Sequence, residues 1–494
     1  MNLLGIDLGS SSVKASVIDG KTGNCLSSAF YPKEEMKIVA HRPGWAEQDP
    51  EDWWMNLVAA IKDCAGQIGK KKESIGAIGI SYQMHGLVIV DKNLKALRPS
   101  IIWCDSRAVP YGEKAMNALG KEFCLSHLLN SPGNFTASKL AWVKDNEPQT
   151  YNRIFRVMLP GDYIALRLTG ELTTTYTGMS EGIFWDFSRN KISDELLEYY
   201  GFGKEIIPEQ HRSFSTHGAL PGNIAEELGL PAGIPVSYRA GDQPNNALSL
   251  NVLEPGEVAA TAGTSGVIYG VTDQLKYDPQ SRVNTFLHVN HSENARRLGV
   301  LLCINGTGIL NSWLKRNISG SLTYNNMNEL ASSIKPGSDN LTILPFGNGA
   351  ERMLGNEDRG AEISGLNFNI HTSAHLYRAS QEGIAFSFRY GLDIMKETGI
   401  SPKIMRAGMA NMFLSPVFRE TLANITGTEI HLYNTDGSVG AARGAGIGCG
   451  YYKSAKEAFA GLREIEKTEP AKDVAAYEEA YSRWKDHLFL LQRR

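Results

Sequence analysis

The sequence predicts an α/β chain of two like domains. Three observations carry that expectation. At 494 residues the chain is too long for one hydrophobic core. Short apolar runs broken by Gly- and Ser-rich turns alternate with stretches of helical spacing. A strand, turn and strand at the N-terminus also returns in mid-chain: Gly263-Thr264-Ser265-Gly266-Val267-Ile268-Tyr269-Gly270-Val271-Thr272-Asp273 aligns without a gap on Gly9-Ser10-Ser11-Ser12-Val13-Lys14-Ala15-Ser16-Val17-Ile18-Asp19.

The first copy opens the chain. Leu3, Leu4 and Ile6 lead to Asp7, Gly9-Ser10-Ser11-Ser12 interrupts the run, and residues 13–18 resume it. Such a turn offers backbone N–H groups and the hydroxyls of Ser10, Ser11 and Ser12 to an anion, while Asp7 at the strand end can hold a metal through its carboxylate. A nucleotide phosphate with Mg²⁺ suits both. Gly and Ser also form ordinary turns that bind nothing. The second copy adds weight, because two like turns on two like domains can close on one phosphate chain from both sides.

A third strand follows at 25–31, then a turn-rich loop at 43–50, and Pro50 starts a helix through Trp53, Trp54, Leu57, Ala60 and Ile61. Residues 75–81 read as a buried strand running into Tyr82-Gln83-Met84-His85-Gly86, and 87–90 as another. Ile101-Ile102 likewise delivers Trp103-Cys104-Asp105-Ser106-Arg107. From 111 to about 230 the texture turns to helices and irregular loops, an insertion into the first domain. A strand at 235–238 then presents Arg239-Ala240-Gly241-Asp242-Gln243-Pro244, and the domain boundary falls between 246 and 256, giving domains of 1–246 and 247–494. In the second half we expect strands up to 269, at 298–304 and at 341–345, and a helix through Leu310, Trp313 and Leu314. A long helix at 373–398, a strand at 403–408, a close-packing Gly/Ala-rich helix at 438–450 and a terminal helix using Tyr477, Tyr481, Trp484 and Leu488 complete the chain.

Composition is that of an ordinary globular protein, 42% hydrophobic and 21% charged, with a net charge of −3. No basic stripe supports nucleic-acid binding. No stretch has the length of a membrane span or the pattern of a secretory signal, so a cytoplasmic protein without a membrane partner is expected. The six cysteines are scattered without CxxC pairs, which argues against a zinc site or a disulfide framework.

Asp242, at a strand end in a Gly/Asn-rich turn, can take a proton from a substrate hydroxyl as that oxygen attacks a γ-phosphorus. Capping the following helix is an equal local reading. Gln83, Met84 and His85, with Asp105 and Arg107, can line a pocket for a polyhydroxylated substrate by hydrogen bonds. His371 and His375 have a metal-ligand spacing but lack the adjacent glutamate of the zinc proteases. No Walker A loop is present, and the glycines of 440–450 do not form a dinucleotide fingerprint.

Taken together, these motifs resemble the FGGY family of carbohydrate kinases over nearly the whole chain. The carrying segments are 5–14, 44–50, Gln83-Met84-His85-Gly86, 103–107, Gly241-Asp242, Gly263-Thr264-Ser265-Gly266 and a C-terminal signature at 365–383. The resemblance implies two ribonuclease H-like domains of the actin and sugar-kinase type around the cleft, ATP and Mg²⁺ as cofactors, and a homodimer. It further implies Asp242 as base with Asp7 assisting, both near the metal, and sugar contacts from Gln83, Met84, His85, Asp105, Arg107 and Asp242. Nucleotide contacts would come from Ser10, Ser11, Ser12, Lys14, Gly263, Thr264, Ser265, Gly308 and Asn411. The chain departs from the family pattern at Arg239-Ala240, where Gly-Gly is usual, and at Ala410-Asn411-Met412, where Gly-Gly-Gly is usual.

Overall fold

The computed structural model describes residues 1–493. Its first sheet holds β1 (Asn2–Leu8), β2 (Val13–Asp19), β3 (Cys25–Tyr31), β4 (Ile75–Tyr82) and β5 (Val236–Gly241) in the order β5-β4-β1-β2-β3. β1 is antiparallel to β2, with Leu8 opposite Val13, and parallel to β4, which is parallel to β5. β1 is buried along its length except at Asp7, which explains its unbroken apolar run. The second sheet holds β6 (Val258–Ala262), β7 (Gly266–Thr272), β8 (Asn284–Leu287), β9 (Leu298–Ile304), β10 (Ile404–Gly408), β11 (Glu429–Tyr433) and β12 (Glu464–Thr468), in the order β8-β9-β7-β6-β10-β11-β12. Its β6-turn-β7 hairpin repeats the β1-turn-β2 hairpin of the first sheet, as the internal repeat predicts.

The helices that position the site are α1 (Pro50–Ile68), α2 (Tyr176–Glu181), α3 (Asp242–Ser249), α4 (Gly308–Asn317), α5 (Ser373–Glu397) and α6 (Gly437–Gly448). α1 starts where Asp49 caps Glu51 N–H at 2.9 Å with Pro50 at its first position, and it buries Trp53, Leu57 and Ile61. The strand expected at 87–90 forms as Val88–Val90 but pairs with Arg156–Met158, outside the main sheet.

Contacts that join the halves include two that bear on the site. α6, from the last quarter of the chain, packs across β1, β4 and β5 of the first sheet. Its small residues permit this: a Cβ on Gly448 would lie 1.7 Å from the Ser237 carbonyl oxygen. The edge strand β8 docks on the insertion, where the buried Asn130 amide donates to Thr285 O at 2.7 Å and accepts from Thr285 N–H at 2.9 Å. Leu287 N–H adds a bond to Ser180 Oγ at 2.9 Å. Among the described residues no helix is long and apolar enough to cross a membrane.

Candidate active site

β1 and β5 each carry a carboxylate to their C-terminal ends, the usual place for a site in a sheet of parallel strands. Asp242 is the first residue of α3, one past the N-cap Gly241, so it does not fill the capping position. Burial, then the neighbouring Asp7, pushes its carboxyl up to about 7. Asp7 accepts from Ser81 Oγ at 2.8 Å, and burial raises its pKa as well, with Asp436 adding to the rise.

Asp436 is a residue that sequence reasoning missed. Its carboxylate caps α6 through Val439 N–H at 3.0 Å and pairs with Lys14 Nζ at 2.7 Å. α6 starts hard against Asp7, for a Cβ on Gly437 would lie 2.2 Å from Asp7 Oδ2. Lys14 is therefore held at the first turn by a residue far away in sequence. The signal was an Asp directly before a Gly/Ala-rich helix, the commonest capping pattern.

The charge of Asp7 adds to the rise at Asp242, and neither carboxylate forms an ion pair with a Lys or Arg among the described residues. Two adjacent oxygen donors in want of positive charge suit Mg²⁺, which takes one or two carboxylates and completes its shell with phosphate and water. His371 and His375 serve otherwise: His375 Nδ1 accepts from Thr372 N–H at 3.1 Å and so caps α5. No group of three potential metal-binding side chains exists among the described residues.

The first turn is fixed by its carbonyls. Ser12 O accepts from Gly9 N–H at 3.0 Å, Ser11 O from Met36 N–H at 2.8 Å and Ser10 O from Gln48 Nε2 at 2.7 Å. The hydroxyls of Ser11 and Ser12 have no partner among the described residues and stay available to a ligand. The second turn is braced by α4, whose Gly308 N–H donates to Gly263 O at 2.9 Å and Ile309 N–H to Thr264 O at 3.1 Å. Gly263, Thr264, Gly308 and Asn411 line one cavity of about 270 Å³ with Asn311, Ser312 and Tyr324. Ser265 lies outside that lining. Asn411 takes the left-handed conformation, φ 54°, that a glycine would take without strain.

On the other side, β4 runs into Gln83, Met84 and His85. Gln83 Nε2 donates to Gln48 Oε1 at 3.1 Å, and its own Oε1 is buried without a partner. Met84 packs against Gly241, immediately before Asp242. His85 sits between Phe135 and Phe286, with ring centroids 4.8 and 5.3 Å away, and Phe286 comes from β8. Burial, then the charge of Lys139, lowers the His85 pKa to about 3, so the ring is neutral.

Asp105 and Arg107 depart from the expected direct sugar contact. The Asp105 carboxylate has no exposed surface and is spent on Ala46 N–H at 2.6 Å and on the Arg107 guanidinium at 2.6 Å. Arg107 also pairs with Glu47 at 2.6 Å and stacks 3.7 Å from the Trp45 ring centroid. A buried arginine needs such partners, and here both charges of the pair are met within the protein. Arg239 likewise turns away from the base: wholly buried, it pairs with Asp162 at 3.1 Å.

The FGGY carbohydrate-kinase N-terminal domain matches residues 2–249, and the C-terminal domain of that family matches 258–449. The chain is 28% identical to the xylulose kinase of Lactococcus lactis over 98% of its length and 95% of that protein. It is 27% identical to the xylulose kinase of Bacillus subtilis, over 98% and 96%. Among solved structures, a xylulose kinase from Rhodospirillum rubrum superposes with a TM-score of 0.89 at 25% identity, covering both chains completely. A gluconate kinase from Lactobacillus acidophilus shares the fold, with a TM-score of 0.88 at 22% identity over 99% of this chain and 98% of that one. The chain thus belongs to the FGGY family of carbohydrate kinases, and it is a sugar kinase.

Proposed function

We propose that this kinase transfers the γ-phosphoryl group of ATP to D-xylulose, giving ADP and D-xylulose 5-phosphate. The observation that carries the reading is the approach of the Met84-His85 turn to Asp242, a base poised near neutrality at the strand end. The O5–H proton passes to the Asp242 carboxylate, the O5–P bond forms and the bond from phosphorus to the β,γ-bridging oxygen breaks. A positioned base of this kind contributes about 10²–10⁴ in rate.

Residues 1–246 supply the sugar side through Gln83, Met84 and neutral His85. Residues 247–494 supply the nucleotide side through Gly263, Thr264, Gly308 and Asn411, with Ser265 completing the turn. Ser10, Ser11, Ser12 and Lys14 face the phosphates from the first domain, and Asp7 and Asp242 would hold Mg²⁺, which neutralises phosphate charge. Closure of the halves excludes water and so favours transfer to sugar over hydrolysis.

The xylulose kinases among its relatives support the choice of sugar, while the gluconate kinase fold keeps other sugars and polyols as the second reading. ADP release should be followed with ATP, Mg²⁺ and a panel of pentuloses, hexuloses, gluconate and glycerol. Stimulation by D-xylulose well above every other acceptor is expected. Preference for another acceptor would overturn the substrate, and stimulation by none would overturn the acceptor class.

A further inference from the structure

Glu181 ends α2 inside the insertion and is almost completely buried. Its position is unusual, because a carboxylate at a helix C-terminus meets the negative end of the helix dipole. It touches two parts of the site at once. Its carbonyl oxygen accepts from His85 Nδ1 at 3.0 Å, and its Oε1 accepts from the His85 backbone N–H at 3.3 Å. The other carboxyl oxygen stands against Gly241, where a Cβ would lie 2.5 Å from Glu181 Oε2 and 2.5 Å from Met84 Cγ.

These contacts define the state of His85. A carbonyl oxygen only accepts, so Nδ1 carries the proton and Nε2 keeps its lone pair for a donor such as a sugar hydroxyl. His85 also takes a left-handed backbone, φ 63°, which non-glycine residues adopt only when surroundings hold them. Lys139 Nζ holds its carbonyl at 2.8 Å, and Glu181 holds its N–H.

We infer that Glu181 is a positioning residue of the sugar site: its carboxyl ties the Met84-His85 turn to Gly241, holding His85 and Asp242 in register toward one sugar. The inference rests on the sugar-kinase reading above. Burial pushes the Glu181 carboxyl well above the usual range, with Asp242 and Asp162 adding to the rise. Glutamine is a near-isostere in shape, and it restores the acceptor that alanine removes.

The test compares wild type, Glu181→Gln and Glu181→Ala for sugar KM, ATP KM and kcat, and follows backbone hydrogen exchange over residues 82–90 and 236–246. Glu181→Ala is expected to raise sugar KM about tenfold or more, the scale of leaving a buried N–H unpaired, with ATP KM within about twofold. It should also speed exchange in both segments, while Glu181→Gln stays near wild type on all readouts. A folded Glu181→Ala with unchanged sugar KM and exchange, or an equal loss in sugar and ATP KM, overturns the inference. Should the alanine variant not fold, Glu181→Met, which fills the space without an acceptor, takes its place under the same criteria. If no sugar is turned over by wild type, the substrate reading falls, and the exchange measurement still decides whether Glu181 links the two turns.

Discussion

Replacing Gly308 with alanine tests how the second turn is built. The added Cβ would lie 2.3 Å from Gly263 O and 3.0 Å from Gly263 C, both backbone atoms that no rotamer change can move. Bringing the first contact out to about 3 Å requires α4 and the turn to separate by roughly 0.7 Å, which overpacking data price at about 1–3 kcal/mol. The same displacement weakens the 2.9 Å bond from Gly308 N–H to Gly263 O that orients the turn. If that free energy falls on the nucleotide-bound state, ATP KM rises about 5- to 150-fold. Steady-state kinetics with each substrate varied in turn, beside a thermal melt, provides the assay. We expect the rise in ATP KM with sugar KM within about twofold. A folded variant with unchanged ATP KM, or one equally impaired for both substrates, would refute the assignment of this turn to the nucleotide.

Three further outcomes follow from the same geometry. Only ionised Asp242 accepts a proton, so kcat/KM for the sugar should fall about tenfold per unit below a pH near 7, the value to which burial raises this group; a flat profile down to pH 5 would remove Asp242 as base. Asp105→Asn should lower the melting temperature by several degrees, since breaking a buried ion pair costs about 3 kcal/mol, and should act on sugar KM no more than on stability. A large change in sugar KM at unchanged melting temperature would restore Asp105 as a direct ligand. Lys14→Met breaks a bridge whose side chains are 36% and 42% exposed, worth under about 1 kcal/mol, so the melting temperature should hardly move while ATP KM rises.

The sequence exposed those parts of the site built from contiguous residues. The two like hairpin turns were legible because their spacing survives without a gap, and the strand-end position of Asp242 because a strand pattern runs straight into it. The long helix at 373–398 forms as Ser373–Glu397, since its apolar periodicity is sustained over seven turns. What stayed hidden depends on residues distant in the chain. Asp436 meets Lys14 across 422 positions, and Glu181 meets His85 across 96, with only an ordinary cap or an irregular insertion to mark them. Asp105 and Arg107 belong with these, because their charges meet partners that only the fold brings near. A charged residue beside a motif looks like a ligand until such buried partners, here Ala46 N–H and Glu47, are in place.

The central claim is that Asp242 removes the proton from a sugar bound beside Met84 and His85. The most direct measurement is sugar-stimulated ADP release by Asp242→Asn against wild type at saturating ATP, Mg²⁺ and D-xylulose. The account predicts a fall of about 10²–10⁴ in kcat with the nucleotide still bound. Turnover by Asp242→Asn within a few-fold of wild type would contradict it.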